Sequence, residues 1–390
     1  MKDIDALVDY VADIRHKIHQ NPELSMQEYE TTELICRELE AMGAEITRWD
    51  DMTGAAGLIR GAKKGPTIAV RADIDALPID ENSGSPYTSK NKGVMHACGH
   101  DAHTAIALGV GKYFAHKRNE LEGNVKLIFQ PAEEAPPGGA KYMIERGVLD
   151  NPHVDAIFGL HHYKDYRTGE IGINHGSFIP SVQNFFTIKL KVKGGSCAEP
   201  YKGVDGIMAA AQILTSIQVE MTRRINPSKG GLVSFNSING GTNPFVLADE
   251  VTIGGYSISY DQETAEQIPQ LLNDVAGSIA HMYGGSTEID YKKGYPVVFN
   301  DFKMTRIVTE AAEAIIGAEN VKLAGPVMAG DDMAYFLQRV PGCYFLWGIT
   351  PETGVISPAH TPEFDMDEAA FKPGLEVMTE AVQIALRKLK

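Results

Sequence analysis

The stretch His96-Ala-Cys-Gly-His-Asp-Ala-His103 places five side chains that can bind a metal ion within eight positions. Thiolate, imidazole and carboxylate groups are ligands for divalent first-row metals, and close spacing lowers the entropy cost of gathering them. The stretch therefore predicts one half of a metal site. A helix start capped by Asp101, with buried histidines, would use the same residues, so the other ligands must be found elsewhere in the chain.

Three predicted strands supply further candidate ligands. Apolar runs at residues 67–70, 125–129 and 156–160 are typical of buried strands in a parallel sheet. Each run is followed by metal-competent side chains: Asp73 and Asp75, Glu133 and Glu134, and His161 and His162. Because ligands bind at the carboxyl ends of strands in open α/β sheets, this pattern favours one shared site.

The candidate ligands exceed what one catalytic metal ion needs. They are Cys98, His100, Glu134, His161 and His360. A catalytic zinc ion usually takes three protein ligands and a water molecule, so we favour two metal ions that share a thiolate or a water. The outer carboxylates that could orient the imidazoles are Asp73, Asp75 and Asp101.

Glu133 and Glu134 are adjacent, and neighbouring side chains of an extended segment point to opposite sides. One carboxylate would therefore bind a metal ion, while the other would act as a general base on water and return the proton to a leaving amine. A metal ion that lowers the pKa of water to near 7 would provide the nucleophile. Two solvated acids in a loop, or Cys98 as a nucleophile, are the alternatives.

The pattern of the chain changes at about residue 180, where apolar and polar residues begin to alternate as in a half-buried antiparallel strand. The elements predicted from there to residue 293 follow the split βαβ order of strand, helix, strand, strand, helix, strand. We therefore predict an α/β protein whose mixed-sheet catalytic domain, residues 1–180 and 294–390, is interrupted by a ferredoxin-like α+β domain, residues 181–293.

Composition argues against several partners. The formal net charge of -15 argues against nucleic acid or an anionic membrane surface as a partner, because both would be repelled. No apolar run has transmembrane length, and residues 1–5 lack the pattern of a signal peptide. The four cysteines are scattered, which predicts reduced thiols and a cytoplasmic protein.

Several segments resemble the aminoacylase-type amidohydrolases. This group includes hippurate hydrolases and plant auxin-conjugate hydrolases, within the carboxypeptidase G-like and peptidase T-like metallopeptidases. The segments are residues 15–28, Arg71-Ala-Asp-Ile-Asp-Ala-Leu-Pro78, residues 95–105, Phe129-Gln-Pro-Ala-Glu-Glu134, Gly159-Leu-His161 and His360-Thr-Pro362. They occur in the family order over nearly the whole chain.

The resemblance implies a dinuclear site of zinc or manganese ions held by the five candidate ligands, with Glu133 as the general base. It further implies hydrolysis of an N-acyl amino acid, so that the partner is a small-molecule amide substrate. The inserted domain would act as a lid and would form a homodimer.

The predicted lid departs from the family pattern. Ser196 and Tyr201 stand where the family has histidines, Phe245 stands where it has an asparagine, and Ile258 stands where it has an arginine. In the family, the lid histidine polarises the scissile carbonyl across the dimer, and the asparagine and arginine grip the substrate carboxylate. An oxyanion donor typically contributes about 100- to 1,000-fold to turnover, and isoleucine cannot replace an arginine clamp.

Because all five candidate ligands are intact, we expect an active hydrolase whose substrate lacks an α-carboxylate at the usual place or binds it differently. Ser196, Tyr201 or His175 would then offer weaker polar contacts. A dipeptidase or an arylamine deaminase would use the same activation of water. A non-catalytic dimeric binding protein that keeps its metal ions for structure is the alternative from another class.

Overall fold

The computed structural model describes residues 4–390, apart from the side chain of Gln183. The chain divides into two compact units. The first consists of the chain up to Gly176 together with Val298–Gly325 and Asp332–Lys390, and the second consists of Ser177–Val297 and Pro326–Asp331.

The helices and strands of the two units follow one another along the chain. The helices are α1 (Asp5–His19), α2 (Tyr29–Ala41), α3 (His100–His116), α4 (Gly139–Glu145), α5 (Gly206–Arg224), α6 (Gln262–Met282), α7 (Phe302–Ile316), α8 (Met333–Leu337) and α9 (Phe371–Lys388). The strands are β1 (Glu45–Trp49), β2 (Met52–Arg60), β3 (Lys63–Asp73), β4 (Glu122–Gln130), β5 (Ala156–Arg167), β6 (Ile171–Ile173), β7 (Gly176–Ile179), β8 (Ser181–Lys191), β9 (Gly195–Ser196), β10 (Gly231–Gly240), β11 (Val246–Leu247), β12 (Glu250–Ser259), β13 (Ser286–Lys292), β14 (Val298–Asn300), β15 (Val321–Leu323) and β16 (Gly342–Thr350). Within residues 4–390, no helix combines the length and the apolar character needed to cross a membrane.

The first unit is built on a mixed eight-stranded sheet in the order β1-β2-β4-β3-β5-β16-β6-β15. The central strands β4, β3, β5 and β16 run parallel to one another. The pairs β1–β2, β2–β4 and β16–β6 are antiparallel. Apolar residues of α1, α3 and α9 share one buried core with the central strands, which explains why β16 is buried along its whole length.

The strand register aligns the carboxyl ends of the central strands. Asp73 of β3 lies opposite Gln130 of β4. Arg71 of β3 lies opposite Gly159 of β5, so the two parallel strands reach Asp73 and His161 two residues later. The side chains that follow three different strands are therefore brought to one edge of the sheet.

The second unit contains a four-stranded antiparallel sheet in the order β10-β12-β8-β13. Helices α5 and α6 complete the chain order β8, α5, β10, β12, α6, β13, which is the split βαβ order expected from the sequence. Along β8, Phe186, Ile188 and Leu190 are buried, whereas Lys189 is exposed. The period-two alternation of the sequence therefore separates the core face of this strand from its solvent face.

Candidate active site

Cys98 and His100 lie on either side of a glycine turn that leads into α3. Gly99 has a φ of 67°, and α3 begins at His100. A Cβ atom at Gly99 would lie 2.8 Å from Cδ2 of His162 and 2.9 Å from Cε of Met366. The turn therefore needs glycine both for its conformation and for space.

The backbone that directly follows β3 orients the ring of His100. Its Nδ1 donates to the carbonyl oxygen of Asp75 over 2.8 Å. This bond directs Nε2 into the site, where Nε2 is buried without a hydrogen-bond partner in residues 4–390. Carboxylate oxygens of Asp73, Glu133 and Glu134 lie 3.8, 3.9 and 4.0 Å from it. A buried ring nitrogen without a partner, facing carboxylates at this distance, fits a metal ligand.

The surroundings of His100 favour a positive charge. Burial lowers the pKa of His100, but the negative charge of Asp73 and the hydrogen bond with Asp75 outweigh burial, so the pKa is raised well above its usual value. The same negative groups would stabilise a metal cation at this position.

His161 presents its Nε2 in the same way as His100. Its Nδ1 donates to the carbonyl oxygen of His162 over 2.8 Å, and its Nε2 lies 3.5 Å from the sulfur of Cys98. Burial lowers the pKa of His161 to about 3. The ring is therefore neutral at physiological pH, which is the form that can bind a metal ion.

His360 approaches the site from the loop before α9. Its Nε2 lies 3.1 Å from Oε1 of Glu134. Its backbone N–H donates to the carbonyl oxygen of Ala97 over 2.8 Å. His360 has a φ of 64°, and such strain in a residue other than glycine occurs most often at functional sites.

The five candidate ligands form two overlapping sets. The ligand atoms of Cys98, His100 and His161 lie within 4.8 Å of one another, and so do those of Cys98, Glu134 and His360. Cys98 belongs to both sets. The donors are sulfur, imidazole nitrogen and carboxylate oxygen, so the residues could hold two divalent cations that share the Cys98 thiolate.

The two adjacent glutamates converge. The carboxylate of Asp75 accepts the N–H groups of Glu133 and Glu134 over 3.0 and 3.1 Å, and Ala132 before them has a φ of 54°. One carboxylate oxygen of each glutamate and Nε2 of His100 all lie within 4.8 Å of one another. The prediction that the side chains point to opposite sides is therefore wrong, because this segment is a turn and is not extended.

Asp73 and His103 support the site through a complete set of hydrogen bonds. Oδ1 of Asp73 accepts from Nδ1 of His103 over 2.7 Å, and Oδ2 accepts from Arg71 over 2.8 Å. Nε2 of His103 accepts the backbone N–H of His162 over 3.2 Å. Both ring nitrogens of His103 are thus engaged within the protein.

Asp101 does not cap α3. The helix start has no side-chain capping bond, and Oδ2 of Asp101 instead accepts from Nε of Arg15 over 3.1 Å and from Nδ1 of His19 over 2.7 Å. The capping role weighed for Asp101 is therefore wrong. The side chain of His19 is itself buried. The carboxylate of Glu23 caps α2, since it accepts the N–H groups of residues 30 and 31.

Sequence reasoning missed several buried charged residues around the site. Arg15 belongs to this group, as do Glu28, whose carboxylate accepts the N–H of Ala132 over 2.9 Å, and Asp332, which accepts from Arg71 over 2.8 Å. The position of Arg15 in the helical pattern could have revealed from the sequence that it is buried. Arg15 follows Val11 by four positions, on the apolar face of α1, where a charged residue needs a partner.

The substrate residues predicted for the lid all lie in the second unit. Ser196 pairs with Val246 in the short ladder of β9 and β11, next to Phe245. Tyr201 and Phe245 are largely exposed, at 79% and 78%. Ile258 lies apart from them, on β12 opposite Leu232 of β10. His175 belongs to the first unit, where its Nδ1 lies 2.7 Å from the hydroxyl of Thr305.

A family model described as Peptidase family M20/M25/M40 matches residues 69–384, which is most of the chain. The chain belongs to this family. Its M20 relatives include N-acetylcysteine deacetylase of Bacillus subtilis, which is 38% identical over 378 residues covering 97% of each chain. They also include IAA-amino acid hydrolase ILR1-like 4 of Arabidopsis thaliana, 33% identical over 387 residues that cover 98% of this chain and 87% of that protein.

A solved M20 structure matches the fold closely. The YXEP protein of Bacillus subtilis, described as a dinuclear metal binding peptidase, has a TM-score of 0.84 and 34% sequence identity. The match covers 98% of this chain and 99% of that chain. The M20 relatives confirm the resemblance noted in the sequence, the mixed α/β fold and hydrolysis of an amide bond as the class of reaction.

Proposed function

We propose that this M20 protein is a deacylase of small amides that binds two divalent metal ions through Cys98, His100, Glu134, His161 and His360. The observation that carries the proposal is the presence of Cys98 in both sets of converging ligands. We favour zinc or manganese ions, because thiolate and imidazole suit zinc and carboxylate suits manganese.

Glu133 is the proposed general base. When bound, the two metal ions would lower the pKa of a water molecule and polarise the amide carbonyl. The Glu133 carboxylate takes the proton from the attacking water and returns it to the nitrogen of the leaving amine. Its side chain is almost fully buried, 3.9 Å from Nε2 of His100, and its backbone is fixed by the bond to Asp75.

Replacement of Glu133 by glutamine tests the catalytic proposal. Turnover of an N-acetylated amide should fall by roughly 100- to 10,000-fold in Glu133→Gln, because the proton transfer is lost. The metal content should stay at the wild-type level. Glu313→Gln, at an exposed position of α7, is the matched control and should change neither quantity. A binding protein without catalysis would show the same rate in all three proteins.

Single ligand variants test the two-metal arrangement. His161→Ala and His360→Ala should each bind about one metal ion fewer than the wild type, because each side chain belongs to only one of the two proposed sets. Cys98→Ala should weaken the binding of both ions. Elemental analysis after dialysis against metal-free buffer measures all three. Equal metal content in the wild type and in Cys98→Ala would contradict a shared thiolate.

We further propose that the substrate lacks an α-carboxylate at the usual position. The support is the sequence of the second unit, where Ser196, Phe245 and Ile258 replace the polar residues expected from the family pattern. Metal-loaded protein should be assayed on pairs of amides that differ only in this carboxylate. The carboxylate-free member of each pair should be cleaved faster, and a strong preference for ordinary N-acetyl amino acids would contradict the proposal.

A homodimer formed through the second unit is the proposed assembly. Strand β10 lies at the edge of the four-stranded sheet, and its Leu232 and Ile238 are 51% and 45% exposed. An edge strand with exposed apolar side chains is a template for pairing with another chain. We also propose a cytoplasmic location, which is supported by the four free cysteines.

A further inference from the structure

Arg15 of α1 is fully buried and binds several separate segments of the first unit. Its Nε donates to Asp101 over 3.1 Å, its Nη2 donates to Asp365 over 2.8 Å, and its Nη1 donates to Glu368 over 2.8 Å. Nη1 also donates to the hydroxyl of Tyr87 over 2.8 Å. One guanidinium group therefore bridges three carboxylates that come from two distant parts of the chain.

The carboxylates bound by Arg15 belong to segments that also carry proposed metal ligands. Asp101 directly follows His100 in the first turn of α3. Asp365 and Glu368 follow His360 in the segment that leads into α9. Arg15 therefore connects the segment that carries His100 with the segment that carries His360, which are ligands of different proposed sets.

The contacts of the two segments differ in their dependence on Arg15. Asp101 also accepts from Nδ1 of His19 over 2.7 Å, so a second buried group holds the segment of His100. Glu368 also lies 2.6 Å from Nε2 of His16. The side chains of His16, Asp365 and Glu368 are 33%, 38% and 34% exposed, so all three have access to water once Arg15 is changed. Loss of Arg15 should therefore loosen the segment of His360 more than that of His100.

We propose that Arg15 is a positioning residue that holds the His360 segment against the His100 segment and thereby sets the affinity for the metal ion bound by Cys98, Glu134 and His360. This role rests on the proposed function, because it requires the two-metal site. A lysine keeps the positive charge but offers a single nitrogen in place of the planar fork of arginine. It cannot bond to Asp101, Asp365 and Glu368 from their three directions at once.

Cobalt binding to Arg15→Lys tests this role. Metal-free protein is titrated with Co²⁺, and two stepwise affinities are measured by calorimetry, together with the thiolate-to-cobalt absorption band that reports Cys98. Groups that orient metal ligands typically contribute 10- to 100-fold to metal affinity. The affinity for the ion bound by Cys98, Glu134 and His360 should therefore fall by about tenfold or more. The affinity of the other ion should stay within about threefold of the wild-type value.

Two control variants separate positioning from general loss of stability. Val11→Ala removes buried apolar contacts from the same helix without touching the carboxylates bound by Arg15. Arg60→Lys alters an exposed ion pair with Glu45. Neither should change either cobalt affinity. If Val11→Ala weakens cobalt binding as much as Arg15→Lys, or if both affinities of Arg15→Lys fall together, the positioning role is wrong.

A double variant shows whether Arg15 acts through His360. In a His360→Ala background, Arg15→Lys should leave the affinity of the remaining ion unchanged, and a further loss there would overturn the proposal. A wild-type protein that binds fewer than two cobalt ions would overturn the proposed function and this role with it. If the wild type binds two cobalt ions and Arg15→Lys binds both of them as tightly as the wild type does, only the role of Arg15 is wrong.

Discussion

His100 and His161 each donate their Nδ1 proton to a backbone carbonyl oxygen, although one lies at a helix start and the other lies in a strand. A carbonyl oxygen does not titrate, so the tautomer of His161 that presents Nε2 does not depend on the ionisation of an acceptor side chain. Nδ1 of His100 also lies 3.3 Å from Oδ1 of Asp75. At the residue scale, the ring orientation of these two imidazoles is therefore built into the backbone of the first unit.

Glu28 gives the protein a pH-dependent stability that can be measured. Burial raises the pKa of its carboxyl group to about 7. Because the folded pKa lies above the unfolded value near 4.5, protonation favours the folded state, and this contribution is lost as the pH rises through 7. Glu28→Gln should remove this dependence, which amounts to roughly 1.4 kcal/mol for each pH unit by which folding raises the pKa of Glu28.

Urea unfolding of both proteins at pH 5 and pH 8 checks this prediction. When the pH is raised from 5 to 8, the free energy of unfolding of the wild type should fall relative to that of Glu28→Gln. Glu120→Gln, at an exposed position, provides the control and should follow the wild type. Parallel curves for the wild type and Glu28→Gln would show that Glu28 does not titrate in this range.

The sequence allowed the residue types of the site to be predicted better than the network around them. Cys98 and His100 are close in the chain, and Glu134 and His161 follow recognisable apolar runs, so local patterns identify them as candidates. The partners of buried charges are remote in sequence, as in the bond from Arg15 to Glu368. Spacing along the chain carries no information about such pairs.

At the element scale, the start of α3 depends on Gly99. Alanine there would adopt the left-handed conformation at a cost of roughly 1 to 2 kcal/mol and would also clash with His162 and Met366. Gly84→Ala is a matched control, because Gly84 has a φ of 74° and open space around its Cβ position. Gly99→Ala should therefore lower the free energy of unfolding more than Gly84→Ala does.

Metal binding should also distinguish Gly99→Ala from Gly84→Ala. A shift of the turn at Gly99 displaces Cys98 and His100, so Gly99→Ala should bind zinc more weakly than the wild type. Gly84→Ala should bind zinc as the wild type does. Thermal unfolding with and without zinc measures both effects, and equal behaviour of the two variants would contradict the packing argument.

The strands show which elements can be predicted from sequence. The apolar runs at residues 67–70, 125–129 and 156–160 correspond to parts of β3, β4 and β5. His161 and His162 were expected after their strand but lie inside β5, because pairing with β16 extends it. The hairpin of β1 and β2 was not predicted, since residues 54–57 are all glycine or alanine and have low strand propensity.

At the scale of the whole molecule, metal removal should lower the stability of the first unit. A ligand that binds only the folded state stabilises it by about 2.7 kcal/mol at 100 times its dissociation constant. Zinc added to stripped protein should therefore raise the Tm of the wild type and have a much smaller effect on Cys98→Ala. An equal rise in both proteins would mean that zinc binds elsewhere.

The oligomeric state should respond to changes along β10. Leu232→Lys together with Ile238→Lys places two charges on the exposed edge, so the mass measured by light scattering should fall from a dimer to a monomer. Met282→Lys, at an exposed position at the end of α6, is the control and should leave the mass unchanged. A dimer that persists in the double variant would assign the interface to another surface.

The position of β16 has a consequence for the order in which the chain folds. This strand lies between β5 and β6 in the sheet, although the whole second unit separates it from both of them in sequence. Closing so long a loop is slow, whereas the strands of the second unit pair over shorter separations. During refolding, amide protons of β8 and β12 should therefore become protected from exchange before those of β5 and β16, and the catalytic centre should be the last part of the protein to form.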